Sequence, residues 1–198
     1  MQVESLSQRT KQAFLESGAR LHRYKRNEVP LVGEEHVIFV SSGVIAESRI
    51  QNKRIATVLL NRSGDLAGGA LTDTTDFAKV LTPAVVFTLP RRRVDSSWDH
   101  LIEEHAKART ARLKSHTASL TTGKTINRVA HALDEIYGDG RVSEHIAQED
   151  IADYVGKTRQ TVNEAYVNLK NRNIITVTRY SYLKIIDREK LIKIANAG

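Results

Sequence analysis

The chain has no cysteine. That excludes disulfides, thiolate redox sensing, and zinc or iron–sulfur centres held by cysteine. Aromatic residues are few, with one Trp and four Phe in 198 residues, so the core is expected to be mainly aliphatic. No run approaches the ~20 apolar residues that a membrane span needs. The opening stretch MQVESLSQRTKQ carries no apolar signal core. A cytoplasmic chain with no membrane partner is therefore expected. Enzyme signatures are missing too. There is no G-x-S-x-G elbow, no H-E-x-x-H pair and no complete phosphate-binding loop. Thr122-Gly123-Lys124-Thr125 looks like the end of such a loop but lacks the upstream glycine. No enzymatic activity, metal or cofactor is expected. What the chain has in excess is positive charge, +7 formally, spread along its length. That favours a polyanionic partner.

The informative stretch runs from Gln148 to Lys170, QEDIADYVGKTRQTVNEAYVNLK. It predicts two helices meeting at Gly156. Glycine takes the left-handed conformation of a tight interhelical turn at no steric cost. Ala152 is small where the helices cross. Ile151, Val155, Val162 and Ala165 fall where both helices turn an apolar face to one core. Past the turn, Lys157, Thr158, Arg159, Gln160, Thr161, Asn163 and Glu164 are polar. In a helix-turn-helix this end of the second helix enters the major groove of DNA. Asn171-Arg172-Asn173 then breaks the helix. The β-branched run Ile174 to Thr178, a turn over Arg179 to Tyr182, and Leu183 to Ile186 make a hairpin. A helix-turn-helix followed by a hairpin is a winged helix, and double-stranded DNA is its expected partner.

The residue chemistry suggests how such a helix would read DNA. Arg159 can donate a bidentate pair to guanine, Gln160 can pair with adenine, and Glu164 can accept from cytosine N4. Glu164 reads equally well as a member of an intrahelical ion pair or as a free surface acid. Thr158 and Thr161 sit where hydroxyls and backbone N–H groups meet phosphates. Lys157 in the turn and Arg179 in the wing are expected phosphate contacts.

The segment from Ile146 to Ala195, with IAQEDIADYVGKTRQTVNEAYVNLKNRNII, the wing and the closing IIDREKLIKIA, resembles the DNA-binding domain of the Crp/Fnr superfamily of bacterial transcription regulators. The resemblance maps the family's base-reading positions onto Arg159, Gln160 and Glu164. Arg159 keeps the choice of the cyclic-AMP receptor branch, whereas Gln160 and Glu164 depart from it. The same resemblance, more weakly, extends to the N-terminal half. FLESGARLHRYKRNEVPLV, HVIFVSSGVIAES and NRSGDLAGG look like the first helix, central strands and pocket turn of a cyclic-nucleotide-binding β-roll. The loop between Val32 and His36 is shorter than is usual, so the roll reads as trimmed.

The rest of the chain fits that plan. Ser5 to Ser17 predicts an amphipathic helix burying Leu6, Ala13, Phe14 and Leu15. Short strands follow at Arg20 to Tyr24, Val37 to Val40, Val44 to Ala46, Ile55 to Leu60, Val80 to Thr82 and Ala84 to Leu89. They are separated by Gly, Asn and Asp turns, the pattern of a small sandwich or barrel. Ser96 or Ser97 is placed to cap a helix from about Trp98 to Ser119. Its stripe is Trp98, Leu101, Ile102, His105, Ala108, Arg112, Leu113, His116 and Leu120. By resemblance this is the dimerisation helix. Thr121 to Lys124 reads as a hinge and Thr125 to Tyr137 as the first helix of the DNA-binding part.

The expected architecture is thus α+β, with a roll at 1–94, a dimerisation helix at 95–121 and a winged helix at 122–198. The family's nucleotide pocket needs glycine-glutamate and arginine-serine or arginine-threonine pairs. Here Gly68 is followed by Gly69, and Asp76-Phe77 stands at the second place. An aspartate there repels a phosphate, so cyclic-nucleotide dependence is not expected. Haem could enter only through histidines such as His22, His36, His100 or His105, which read as structural. The function expected is that of a homodimeric regulator on an inverted-repeat operator, with RNA polymerase as a further partner. The alternative is a metabolite sensor or interaction protein making only non-specific DNA contacts.

Overall fold

The computed structural model describes residues 3–30, 35–51, 54–68, 77–121, 123–140, 146–178 and 182–197. The chain divides into two compact units, one of residues 1–54 and 58–111, the other of 55–57 and 112–198. Among the described residues no helix is long and apolar enough to cross a membrane.

The first unit opens with α1 (Val3–Glu16). Seven strands follow: β1 (Arg20–Tyr24), β2 (His36–Ser42), β3 (Val44–Gln51), β4 (Arg54–Arg62), β5 (Leu66–Gly68), β6 (Phe77–Val80) and β7 (Ala84–Pro90). They form a four-stranded sheet, β1-β7-β2-β5, and a three-stranded sheet, β4-β3-β6. The unbroken apolar run Val37 to Val40 is explained by burial on both faces, since alternate side chains point to opposite sides of a sheet. Ile38 and Val40 join Ile45, Val80 and Val86 in one core cluster. Val37 and Phe39 join Phe14, Leu89 and Trp98 in the other. Phe14 meets Trp98 edge-on, with ring centroids 5.1 Å apart. At the tight turn from β2 to β3, Gly43 has φ +86°, and a Cβ there would lie 2.4 Å from the Pro83 carbonyl oxygen.

Several expectations in this half need correction. Leu15 is half exposed, and Thr10 is buried instead. Thr10 lies one turn before Phe14, on the covered face. Its hydroxyl donates to the Leu6 carbonyl at 2.8 Å and stands 2.9 Å from His105 Nε2. The turn Ser63 to Asp65 is followed at once by β5, which pairs Leu66 with Phe39 and Ala67 with Ile38. The strand expected at Val80 to Thr82 ends at Val80, because the Thr82 hydroxyl accepts from the Val44 N–H where the chain bends toward Pro83. Asp95, not Ser96 or Ser97, is the cap. Its carboxylate accepts from the Ser97 N–H ahead of a 3-10 turn at Ser96–Trp98, and its bonds to Ser97 lower its pKa.

Helix α2 (Asp99–Thr121) follows. Its buried residues are His105, Arg109 and His116, just after the buried Trp98, and Ala108 is exposed. Arg109 takes the buried place because β3 offers it a carboxylate, Glu47.

The second unit holds α3 (Thr125–Tyr137), α4 (Gln148–Val155), α5 (Arg159–Asn171), β8 (Ile175–Val177), β9 (Leu183–Ile185) and α6 (Arg188–Ala195). Val129, Leu133 and Ile136 of α3 are buried, as are Ile151, Val155, Val162, Leu169 and Leu191. Strands β8 and β9 form a hairpin with Ile175 opposite Ile185. The fold is therefore mixed α+β as expected: N-terminal strands, a long helix and a C-terminal winged helix-turn-helix. The sequence also suggests a short strand over Arg141 to Ala147, and most of that stretch lies outside the described residues.

One buried contact in this unit makes stability depend on pH. His116 lies flat on Tyr154, with centroids 3.9 Å apart and planes 3° apart. The Tyr154 hydroxyl donates to Glu135 at 2.7 Å. Burial, then the neighbouring His131, pushes the His116 pKa from an ordinary 6.5 down to about 4. The unfolded chain therefore takes up this proton first. The contribution is complete above the ordinary value and is lost as pH falls toward the folded one. His116 alone should cost about 2 kcal/mol between pH 7 and pH 5. Urea unfolding of the wild type and of His116→Phe at both pH values tests this. A slope with pH that the substitution leaves unchanged would refute it.

Candidate nucleic-acid interface

The turn between α4 and α5 is built on one backbone conformation. Gly156 has φ +64°, ψ +41°, left-handed, as its sequence position requires. The Lys157 N–H donates to the Ala152 carbonyl at 3.0 Å, closing α4 over the small residue. Thr158, in extended conformation, then caps α5. Its hydroxyl accepts from the Thr161 N–H at 3.3 Å, and the Thr161 hydroxyl donates to the Thr158 carbonyl at 2.9 Å. Both threonine hydroxyls are thus engaged in starting the helix.

Periodicity does the rest. Val162, Ala165, Tyr166 and Leu169 are buried, so Arg159, Gln160, Asn163 and Glu164 face outward. Lys157 is exposed beside them. The structure therefore gathers Lys157, Thr158, Arg159, Gln160, Thr161 and Glu164 on one surface. Arg179 lies outside the described residues.

These side chains are paired with one another. Arg159 Nη1 lies 3.0 Å from Glu149 Oε1, across the turn. The Gln160 amide donates to Glu164 at 3.4 Å, one turn along the same helix. The Gln148 amide donates to Asn163, also at 3.4 Å. All three pairs are exposed and contribute little to stability. They keep polar groups presented in a fixed order.

One part of the surface escaped the reading of the sequence. A groove of about 540 Å³ runs beside α5, lined among others by Lys124, Thr125, Thr161, Glu164, Asn168 and Arg172. Lys124 caps α3 without a side-chain hydrogen bond, which leaves the first N–H groups of that helix at the groove wall. A helix N-terminus with a lysine is suited to anions. The signal is present in Gly123-Lys124-Thr125, a stretch whose glycine alone marks it as a hinge.

Known proteins share both the motif and the fold. Residues 127–194 match the family model of the Crp-like helix-turn-helix domain. No curated protein matches the sequence. Among solved structures, FixK2 from Bradyrhizobium japonicum superposes with a TM-score of 0.76 at 20% identity, covering 91% of this chain and 98% of that one. A CRP-family transcriptional regulator from Thermus thermophilus gives 0.73 at 22% identity, covering 88% and 96%. A CRP/FNR-family regulator from the same organism gives 0.71 at 20%, covering 89% and 98%. Residues 127–194 thus form a Crp-like helix-turn-helix domain, and the chain shares the fold of solved CRP/FNR-family regulators over most of its length.

Proposed function

We propose that the chain is a sequence-specific DNA-binding regulator that acts as a homodimer on an inverted repeat and needs no cyclic nucleotide. The observation that carries this reading is the exposed polar face of α5, set by the left-handed Gly156 turn above an apolar opposite face. On that face Arg159, Gln160 and Glu164 reach base edges. Lys157, Thr158, Thr161 and Arg179 meet phosphates, joined by Lys124 and the N-terminus of α3. Thr158 does so through its backbone N–H, since its hydroxyl holds the cap, and Thr161, whose N–H is held by that hydroxyl, turns its own hydroxyl from the Thr158 carbonyl to the phosphate.

A dimer supplies two such faces for half-sites about one helical turn, ~34 Å, apart. Leu113 and Leu120 of α2, seven residues apart and only half-buried in the single chain, give a twin helix an apolar surface to cover. Independence of cyclic nucleotides rests on the sequence, with Gly69 and Asp76 where the family's pocket needs glutamate and arginine. RNA polymerase is the natural second partner, and the cytoplasm the natural place.

The test is a selection from a random DNA pool with protein purified without added ligand. An inverted repeat should be recovered, preferred over random DNA by at least ~10³-fold. A single half-site would refute the dimer. No motif at all would refute sequence-specific binding without an effector, and would favour a sensor whose DNA contacts are non-specific.

A further inference from the structure

We propose that Glu149 is a positioning residue that sets the specificity of Arg159. The proposal rests on the reading of Arg159 as a base contact. Glu149 stands in the first turn of α4 and Arg159 opens α5. Their side chains meet across the turn at 3.0 Å, and each is about two-thirds exposed, 67% and 69%. A pair so exposed contributes little to folding. Its consequence lies in what the guanidinium presents.

Arginine carries five N–H donors in a rigid planar fork. The carboxylate takes Nη1. That leaves the Nε–Nη2 edge, a parallel pair of donors, which matches the O6 and N7 acceptors of guanine. Without Glu149 the side chain is free to swing to the nearest phosphate, where it adds affinity for every sequence alike. The carboxylate also repels the DNA backbone wherever Arg159 is not placed on its base. Glu149 therefore lowers binding to random DNA and keeps Arg159 for bases.

The experiment uses the full chain carrying Glu149→Gln, with affinities measured on the selected operator and on random duplex. The ratio of the two should fall about tenfold, in the lower range of what one bidentate base contact is worth. Affinity for random DNA should rise, and repeated selection should show relaxed preference at the base pair assigned to Arg159. In the Arg159→Ala background the same substitution should leave base preference unchanged. If Glu149→Gln keeps the wild-type ratio and base preference, Glu149 does not position Arg159 and the proposal is overturned. If Arg159→Ala weakens all sequences equally, the fault lies instead in the assignment of Arg159 as a base contact. Unchanged thermal unfolding of Glu149→Gln is expected and separates either result from misfolding.

Discussion

Arg109→Met should lower the stability of the first unit by about 3–5 kcal/mol, the cost of leaving a buried charge without its partner. Glu47 is fully buried on β3, and Arg109 on α2 is 7% exposed. The guanidinium donates to both carboxylate oxygens, at 3.1 and 2.6 Å, and the Asn61 amide donates to one of them at 2.7 Å. Methionine replaces the apolar stem of arginine as far as Nε, so most of the stem packing of α2 is kept and the guanidinium is what is lost. The double substitution Glu47→Leu with Arg109→Met should recover much of that stability, because a buried ion pair exchanged whole for apolar side chains is often close to neutral. Trp98 is the chain's one tryptophan and lies buried in the first unit against Phe14, so its fluorescence follows this unit alone. A single substitution within about 1 kcal/mol of wild type would mean that water reaches Glu47 and that the pair is a surface one. A double variant less stable than the single would show that the charges themselves hold α2 to the sheet.

This cluster is also the least legible part of the sequence. Glu47 and Arg109 are 62 positions apart, and charged residues in isolation read as solvated. The stripe on α2 is visible in the sequence, but an apolar pattern carries its register through Ala108 rather than Arg109, since an alanine fits such a pattern and an arginine does not. The same preference favours Leu15 over Thr10 on α1. Both errors come from treating burial as a property of side-chain type, when a polar group is buried wherever a partner waits for it.

What is legible depends on local geometry. Gly156 announces the α4–α5 turn because only a left-handed residue closes it, and the 3.6 period then fixes which side chains of α5 face outward. Strand β2 is visible as an apolar run, and its burial on both faces follows from the two core clusters that its alternate side chains enter. Strand β5 is hidden because it is three residues long and follows a turn directly. Within the site the identities of the exposed residues are legible and their pairing is not. The Arg159–Glu149 contact joins two helices, so no single periodicity contains it.

Arg159→Ala should weaken binding to the selected operator by about 1–3 kcal/mol per half-site and relax preference at one base pair in each. The reason is the asymmetry between the two kinds of contact on this surface. A guanidinium on guanine O6 and N7 distinguishes that base from the other three, whereas a charge on a phosphate distinguishes nothing. Lys157 lies in the turn, outside α5, and is exposed. Lys157→Ala should therefore weaken operator and random DNA alike. It should also make the dependence of affinity on salt shallower, by about one counterion for each phosphate that the lysine neutralises. Measuring both variants on operator and random duplex across a range of potassium chloride separates the two roles. The roles are wrongly assigned if Arg159→Ala changes the salt slope and leaves base preference intact, or if Lys157→Ala does the reverse. Because the carboxylate holds Nη1 while the Nε–Nη2 edge meets the base, the effect of Arg159→Ala on base preference should be smaller in the Glu149→Gln background. A larger effect there would show that the acid competes with the base instead of orienting the arginine toward it.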